Sequence, residues 1–110
     1  MKRPVLGLVE SITFFGSKKR LKARIDSGAT TSSIDSSLAE KLHLSTMLVK
    51  KRIRSAHGSQ LRPLVRATIV LKNKTITGSF TLAHRSHMTY PVLIGQNILK
   101  KGKFLIDPLK

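Results

Sequence analysis

Short runs of β-branched and apolar residues, separated by turn-forming residues, recur along most of this chain. Runs of this length, bounded by Gly, Pro, Asn and Ser, are typical of β-strands. In the clearest of them, residues 20–26, basic and apolar residues alternate, so one face of the strand would be buried. The predicted strands span residues 4–13, 20–26, 48–54, 60–72, 75–83, 90–95 and 104–106, and the predicted helices span residues 36–42 and 97–100. Many short strands at close spacing predict an all-β barrel with one or two short helices.

The size and composition of the chain favour one small domain. A length of 110 residues allows a single hydrophobic core, and we expect one domain over residues 1–110. Hydrophobic residues make up 40% of the chain but form no apolar run that could span a bilayer, so no membrane partner is expected. The absence of Cys excludes disulfides and Cys-based zinc modules, and the N-terminal segment lacks the pattern of a secretory signal. A cytoplasmic location is therefore expected.

Positive charge dominates the composition. Lys and Arg number 21 against five Asp and Glu, which gives a formal net charge of +16 at pH 7. Such a surface attracts polyanions, and three explanations stay open: a nucleic-acid partner, an acidic protein substrate, or a surface that is merely well solvated. Nucleic acid is compatible with the charge but not favoured, because aromatic residues are only 5% of the chain and no known basic recognition motif is present.

One of the five acids stands between the end of a predicted strand and a run of small polar residues. Asp26 is followed by Ser27, Gly28, Ala29 and Thr30. In a tight turn of this composition, hydroxyl and backbone N–H groups can hold the carboxylate, and Gly lets the backbone come close. The other interpretation is an ordinary turn or helix-cap Asp, which explains most short Asp-Ser-Gly sequences.

A second motif lies much further along the chain, where Leu93 and Ile94 precede Gly95. Together and in this order, the two motifs resemble those of the retropepsin-like aspartic proteases. In that family an apolar-Asp-Thr/Ser-Gly-Ala pattern opens the catalytic loop, and a later apolar-apolar-Gly segment packs beneath it. The resemblance therefore implies a retropepsin-like, single-lobe acid-protease barrel in which Leu93, Ile94 and Gly95 support the loop around Asp26.

Other segments resemble one cytoplasmic branch of that family, labelled ATP-dependent zinc proteases and associated with ATP-grasp glutamate ligases. They are Ser-Ala-His-Gly with Leu-Arg-Pro at 55–63, Leu-Ala-His-Arg-Ser-His-Met with Tyr-Pro-Val-Leu-Ile-Gly at 82–95, and Phe-Leu-Ile-Asp-Pro at 104–108. The chain departs from the branch at His84 and His87, where acids are expected, so the role of that loop stays open. It also has Gln96 where Arg is common and Ser27 in place of the more frequent Thr.

The resemblance implies a catalytic pair assembled from two chains. An aspartic protease uses two carboxylates about 3 Å apart that share one proton, one acting as base toward water and the other as acid toward the carbonyl. One chain supplies only Asp26, so a homodimer with the active site on its two-fold axis is implied. In that dimer Ser27 would hydrogen-bond to the other chain, and the Gly28 N–H would reach the Asp26 carboxylate. The substrate would be a peptide or protein, and the positive charge together with the glutamate-ligase association of the branch favours an acidic, glutamate-rich one.

The resemblance also implies a role for the hairpin predicted between residues 48 and 72. Its tip, Ala56, His57, Gly58 and Ser59, would be a flap that closes over the substrate and excludes water. The residues alone favour an ordinary surface hairpin with a Gly turn, and only the resemblance supports the flap.

No cofactor and no metal site are expected. His84 and His87 have a His-x-x-His spacing, but the chain has no His-Glu-x-x-His motif, no Cys and no nearby carboxylate as a third ligand. The leading hypothesis is an aspartic-type endopeptidase. Two alternatives stay open: a noncatalytic module of the same fold that binds RNA or an acidic protein through its basic surface, and, with less support, a metal-dependent hydrolase.

Overall fold

Alternating side-chain burial organises the strands of the protein. The computed structural model describes residues 2–44, 46–56 and 58–110. Its strands are β1 (Val5–Leu6), β2 (Val9–Phe14), β3 (Arg20–Ile25), β4 (Ser32–Asp35), β5 (Thr46–Ser55), β6 (Gly58–Leu71), β7 (Lys74–Ala83), β8 (Val92–Ile94) and β9 (Leu105–Ile106), and its helices are α1 (Ser36–Lys41) and α2 (Gln96–Gly102). In β3, the apolar residues Leu21, Ala23 and Ile25 are buried and the basic residues between them are exposed, as the sequence predicts.

In the part of the chain that the structure describes, seven strands form one sheet that closes on itself. They are hydrogen-bonded in the order β2-β3-β8-β4-β7-β6-β5, and β2 also pairs with β6. All of these strands except β5 therefore form a closed ring, and β5 extends from β6 as the outer strand of a hairpin. The predicted all-β barrel with short helices is confirmed.

Large aliphatic and aromatic side chains fill the barrel. The rings of Phe14 and Phe80 have centroids 5.7 Å apart, and Ile12, Ile34 and Ile69 are at most 1% exposed. Burying a side chain of this size contributes roughly 1.5–3 kcal/mol to folding. The barrel interior is therefore a packed core, and a functional site has to lie at the barrel's ends or on its outside.

Two parts of the fold differ from the sequence prediction. The strand predicted at 4–13 is divided, because the chain turns at Gly7, whose N–H donates to Glu10 Oε2 at 2.7 Å. As a result β1 pairs with β9, and only β2 joins the barrel. The sequence also did not predict β4, because its serines are typical turn residues; Ser32 and Ser33 are nevertheless buried between β7 and β8.

The predicted hairpin is present. β5 and β6 pair in antiparallel fashion up to the Ser55–Gly58 pair, and Gly58 adopts a positive φ of 109° at the turn. His57, which the sequence analysis included in the tip, lies outside the described residues.

Both helices are short, and α1 begins at a side-chain cap. Asp35 Oδ2 accepts a hydrogen bond from the Leu38 N–H at 3.3 Å, which caps the first turn of α1. Beyond α2, Lys103 adopts a left-handed conformation with φ 53° and ends the helix. Within the described ranges, neither helix has the length and apolar character needed to cross a membrane.

Candidate active site

Asp26 lies directly after β3, where the chain leaves the barrel wall. Its N–H donates to the Ile94 carbonyl at 2.9 Å, which continues the parallel pairing of β3 with β8. The Gly28 N–H donates to Asp26 Oδ1 at 2.9 Å, and the Ala29 N–H donates to the Asp26 carbonyl at 3.3 Å. We call residues 26–30 the Asp26 turn. Its own backbone orients a half-buried carboxylate.

The segment that follows β8 supports this turn through close backbone contact. A Cβ atom built on Gly95 would lie 2.4 Å from the Thr31 carbonyl oxygen and 2.8 Å from that of Ala29. A larger residue therefore does not fit unless the loop moves. The Gln96 N–H donates to the Ala29 carbonyl at 2.8 Å, and Gln96 Nε2 donates to the Ser27 carbonyl at 2.9 Å. Gln at this position thus still binds the turn.

Two further polar residues connect the turn to α2. Ser32 Oγ accepts the Gly95 N–H at 2.9 Å and donates to Asn97 Oδ1 at 2.8 Å. Asn97 Oδ1 also accepts the Ser32 N–H at 3.0 Å, and Asn97 Nδ2 donates to the Ser79 carbonyl at 2.9 Å. Ser32 is fully buried, so these bonds satisfy groups that water cannot reach. The sequence analysis assigned no role to Ser32 or Asn97; the only available signal was that Asn97 follows Gly95 closely.

The hairpin and the Asp26 turn together line a cavity of about 460 Å³. We call this cavity the cleft. Gly28, Ala29 and Thr30 line it from the turn, and residues 51–54 of β5 line it from the hairpin. Leu93 of β8 also contributes to its wall. The fold therefore brings part of the predicted catalytic loop and part of the predicted hairpin to one site.

The described residues of the predicted flap do not line the cleft. Ala56, Gly58 and Ser59 are all exposed, and Ser59 Oγ accepts a hydrogen bond from Arg52 Nη1 at 3.1 Å. The hairpin lines the cleft with residues of both strands, 51–54 of β5 and Arg62 of β6.

Asp26 itself lines an adjoining cavity of about 440 Å³, which we call the Asp26 pocket. Arg85 and Leu93 line both the cleft and this pocket, so the two are neighbours. Arg24 lines the Asp26 pocket as well, although it projects from the exposed face of β3.

The cleft is strongly basic. No acidic residue lines it, whereas five cationic side chains do: Lys51, Arg52, Arg54, Arg62 and Arg85. Among the described residues, the one ion pair joins Lys72 and Glu10 at 3.5 Å, so none of these five cations is neutralised by an acid of the chain. The sequence showed the charge excess but not that it converges here.

The other four acids have contacts of their own. Asp35 is buried and accepts two backbone N–H groups, while Glu10 and Asp107 each accept a backbone N–H within a turn. Glu40 is exposed on α1. Asp26 is therefore the one carboxylate of this chain that lines the Asp26 pocket or the cleft.

A zinc ion, which the branch label implies, has no fitting set of ligands among the described residues. His84 and His87 are both exposed on the loop between β7 and β8. Across the described ranges, no three His, Asp or Glu side chains lie close enough together to hold a metal ion.

Comparison with known protein families finds one match. A family model named RimB-like, described as retropepsin-like aspartic endopeptidase RimB, matches residues 36–110. The matched segment includes the hairpin and Gly95 and begins after the Asp26 turn. No curated protein matches the chain.

Several solved structures share the fold. A protein of unknown function, Lpg0085 from Legionella pneumophila subsp. pneumophila str. Philadelphia 1, is 20% identical with a TM-score of 0.74, over 99% of this chain and 96% of the other. The simian foamy virus (mac) protease is 17% identical with a TM-score of 0.62, over 84% and 91%. The EIAV protease complexed with the inhibitor HBY-793 is 20% identical with a TM-score of 0.64, over 91% and 88%. These similarities confirm the predicted retropepsin-like fold.

Proposed function

Because this chain belongs to the RimB-like family of retropepsin-like aspartic endopeptidases, we propose that it hydrolyses peptide bonds with a pair of Asp26 carboxylates, one from each chain of a homodimer. The family and the fold indicate a protease-type function. The catalytic residue, the dimer and an acidic substrate are the finer parts of the proposal.

The observation that carries the proposal is the Asp26 turn. Its carboxylate is oriented by the Gly28 N–H and opens into a pocket beside the cleft. In the proposed reaction, one carboxylate takes a proton from water, and the oxygen of that water attacks the carbonyl carbon of the substrate. The other, protonated carboxyl donates its proton to the carbonyl oxygen. The C–N bond then breaks as the first carboxyl passes the proton taken from water to the leaving amine, and a hydroxyl of the intermediate returns a proton to the second carboxylate.

The second carboxylate has to come from another copy, since no other acid of the chain lines this site. Exposed residues near the Asp26 turn support such an interface. Ser27 is exposed and lines a cavity of about 420 Å³ together with Phe104, directly before β9, and Ile106 of β9. On the small β1–β9 sheet, Val5 and Leu105 lie opposite each other and are 36% and 50% exposed. These exposed apolar side chains on the small sheet suit a self-complementary contact between two copies.

The basic cleft supports an acidic substrate. A peptide lying along the hairpin would meet five unpaired cations and no acid in the cleft. In a partly enclosed space such charges act more strongly on a ligand than they would in open solvent. A peptide rich in Glu or Asp would therefore be preferred over a neutral or basic one.

The decisive experiment replaces Asp26 by Asn, which keeps an oxygen for the Gly28 N–H but removes the proton-transfer group. Cleavage of a glutamate-rich peptide should fall by roughly 10²–10⁴ or more, the usual contribution of general acid–base catalysis. The thermal unfolding temperature and binding of the peptide should change little. Glu40→Gln is the matched control, because Glu40 is exposed on α1 and lines neither the cleft nor the Asp26 pocket.

Unchanged cleavage by Asp26→Asn would contradict the aspartic mechanism. If the wild-type protein cleaves no peptide but binds acidic peptides or RNA, the noncatalytic binding module becomes the better explanation. The unpaired cations of the cleft are the observation that supports this second candidate function.

A further inference from the structure

Two arginines, Arg85 and Arg62, each line more than one cavity of this site. Arg85, on the loop after β7, lines the cleft, the Asp26 pocket and a third, outer groove of about 680 Å³. Arg62 of β6 lines the cleft and the outer groove. Both side chains therefore bring positive charge to the cleft and the outer groove, and Arg85 also brings it to the Asp26 pocket.

Neither of these guanidinium groups has an acidic partner among the described residues. Arg85 Nε donates to the Tyr90 carbonyl at 3.1 Å, and Arg62 Nε donates to Gln60 Oε1 at 3.1 Å. Asp35 is near Arg85, but its two carboxylate oxygens already accept backbone N–H groups. Partial burial, and then the charge of Arg62, lower the pKa of Arg85 from its ordinary value, while Asp35 opposes this change.

We propose that Arg85 and Arg62 form a subsite that binds a side-chain carboxylate of the substrate next to the scissile bond, an inference that rests on the peptidase function proposed above. A guanidinium binds a carboxylate through parallel N–H···O bonds, which fixes its position as well as its charge. A carboxylate between these two cations would also relieve their mutual repulsion and the cost of their partial burial.

The position of Arg85 determines where on the substrate this residue would be. Arg85 lines the Asp26 pocket as well as the cleft, so a side chain bound to it lies beside the bond that Asp26 would attack. The enzyme would then select Glu or Asp over Gln or Asn at a position adjoining the cleaved bond. Of the other cations of the cleft, Lys51 lies opposite Arg62 on β5, whereas Arg52 and Arg54 lie nearer the hairpin tip and would attract an acidic peptide without this positional selectivity.

The test compares two peptides with blocked termini that differ only by Glu or Gln beside the cleaved bond, so that no terminal carboxylate contributes. For the wild-type protein, kcat/KM should favour the Glu peptide. Arg85→Gln and, separately, Arg62→Gln should lower kcat/KM for the Glu peptide by about 10- to 100-fold, the range for one charge-assisted hydrogen bond, and change that for the Gln peptide by less than about threefold. Arg66→Gln is the control, since Arg66 is exposed on the same strand as Arg62 and lines none of these three cavities.

The deciding quantity is the ratio of kcat/KM for the Glu peptide to kcat/KM for the Gln peptide, because a loop disturbed by Arg85→Gln would slow the cleavage of both peptides alike. Arg85→Lys, which keeps the charge but loses the fork, should retain part of the Glu preference. An unchanged Glu-to-Gln ratio in both Arg85→Gln and Arg62→Gln overturns the subsite. So does a loss of activity that is equal for the two peptides.

A binding measurement separates this inference from the proposed function. In an Asp26→Asn background, fluorescence anisotropy of the same two labelled peptides should show tighter binding of the Glu peptide, and adding Arg85→Gln should abolish the difference. If the wild-type protein cleaves neither peptide, the peptidase proposal fails, and this binding difference alone decides the subsite. An equal effect of Arg85→Gln on the Glu peptide and on single-stranded RNA would indicate a general polyanion surface and contradict a carboxylate subsite.

Discussion

At the scale of single residues, the Asp26 turn depends on contacts with residues that lie far from it in the sequence. Gly95 fits because it has no Cβ, and Ser32 and Asn97 close a hydrogen-bonded network behind it. The Gly95 motif is visible in the sequence, but the atom that requires glycine, the Thr31 carbonyl oxygen, is not. From the sequence alone, Ser32 is typical of a loop. Its hydrogen-bond partners are Gly95 and Asn97, and local sequence patterns do not indicate contacts between such distant residues.

Gly95→Ala should destabilise the protein by about 1–3 kcal/mol or more, because the added methyl group meets backbone carbonyls that cannot rotate away. Gly78→Ala provides the comparison, since the atom that its Cβ would meet is the terminal Cδ1 of Ile98, which has rotamer freedom. Urea unfolding of both variants gives the two losses. A loss for Gly95→Ala no larger than that for Gly78→Ala would show that the loop yields easily.

At the scale of secondary-structure elements, one buried carboxylate joins α1 to the loop that carries Arg85. Asp35 Oδ2 caps α1 through the Leu38 N–H, and Oδ1 accepts the Arg85 N–H at 2.8 Å. The first contact joins residues close in sequence, since an acid directly before a helix is a common N-cap. The second contact joins residues that are distant in sequence and became visible only in the structure.

Asp35→Ala should lower the free energy of unfolding by about 2–4 kcal/mol, since the cap is lost and the Arg85 N–H is left without its acceptor. Because the loop of Arg85 would lose an anchor, the Glu-to-Gln preference in cleavage should fall as well. Glu40→Ala, an exposed change on the same helix, should stay within about 0.5 kcal/mol of the wild type. Chemical denaturation and the peptide assay measure the two effects, and equal stability of the Asp35 and Glu40 variants would argue against the double role.

At the scale of the whole molecule, two features have opposite effects on the proposed dimer. The single carboxylate of the site requires a second copy, whereas the net charge of +16 makes two copies repel each other. Like charges on two copies repel, so the contact needs apolar area to offset this repulsion. The outer face of the β1–β9 sheet, with Val5 and Leu105, provides such area, and Ile106 of the same sheet lines a cavity together with Ser27. The β1–β9 sheet is separate from the sheet that forms the barrel, so its outer face is available for contact with a second copy.

Leu105→Glu should weaken dimerisation by at least about tenfold, because it places a charge in the proposed apolar contact; tenfold corresponds to about 1.4 kcal/mol. Peptidase activity of this variant should then rise more steeply with protein concentration than that of the wild type. Phe15→Glu is the control, because Phe15 is 77% exposed but lies at the other end of β3 from Asp26. Sedimentation velocity measures the association, and equal association of the two variants would exclude the β1–β9 face as the interface.

Local patterns in the sequence are sufficient for the barrel class, the alternating strand β3, the hairpin, both helices and the turn that holds Asp26. Each of these follows from residues that are neighbours in the chain, where side-chain alternation, capping and turn chemistry act directly. The tertiary structure decided the rest: the insertion of β4 between β7 and β8, the Ser32–Asn97 network, and the convergence of Arg62 and Arg85 in the cleft. These features depend on which distant residues the closing barrel brings together, and such pairings are set by packing and hydrogen bonding across strands, not by any local pattern.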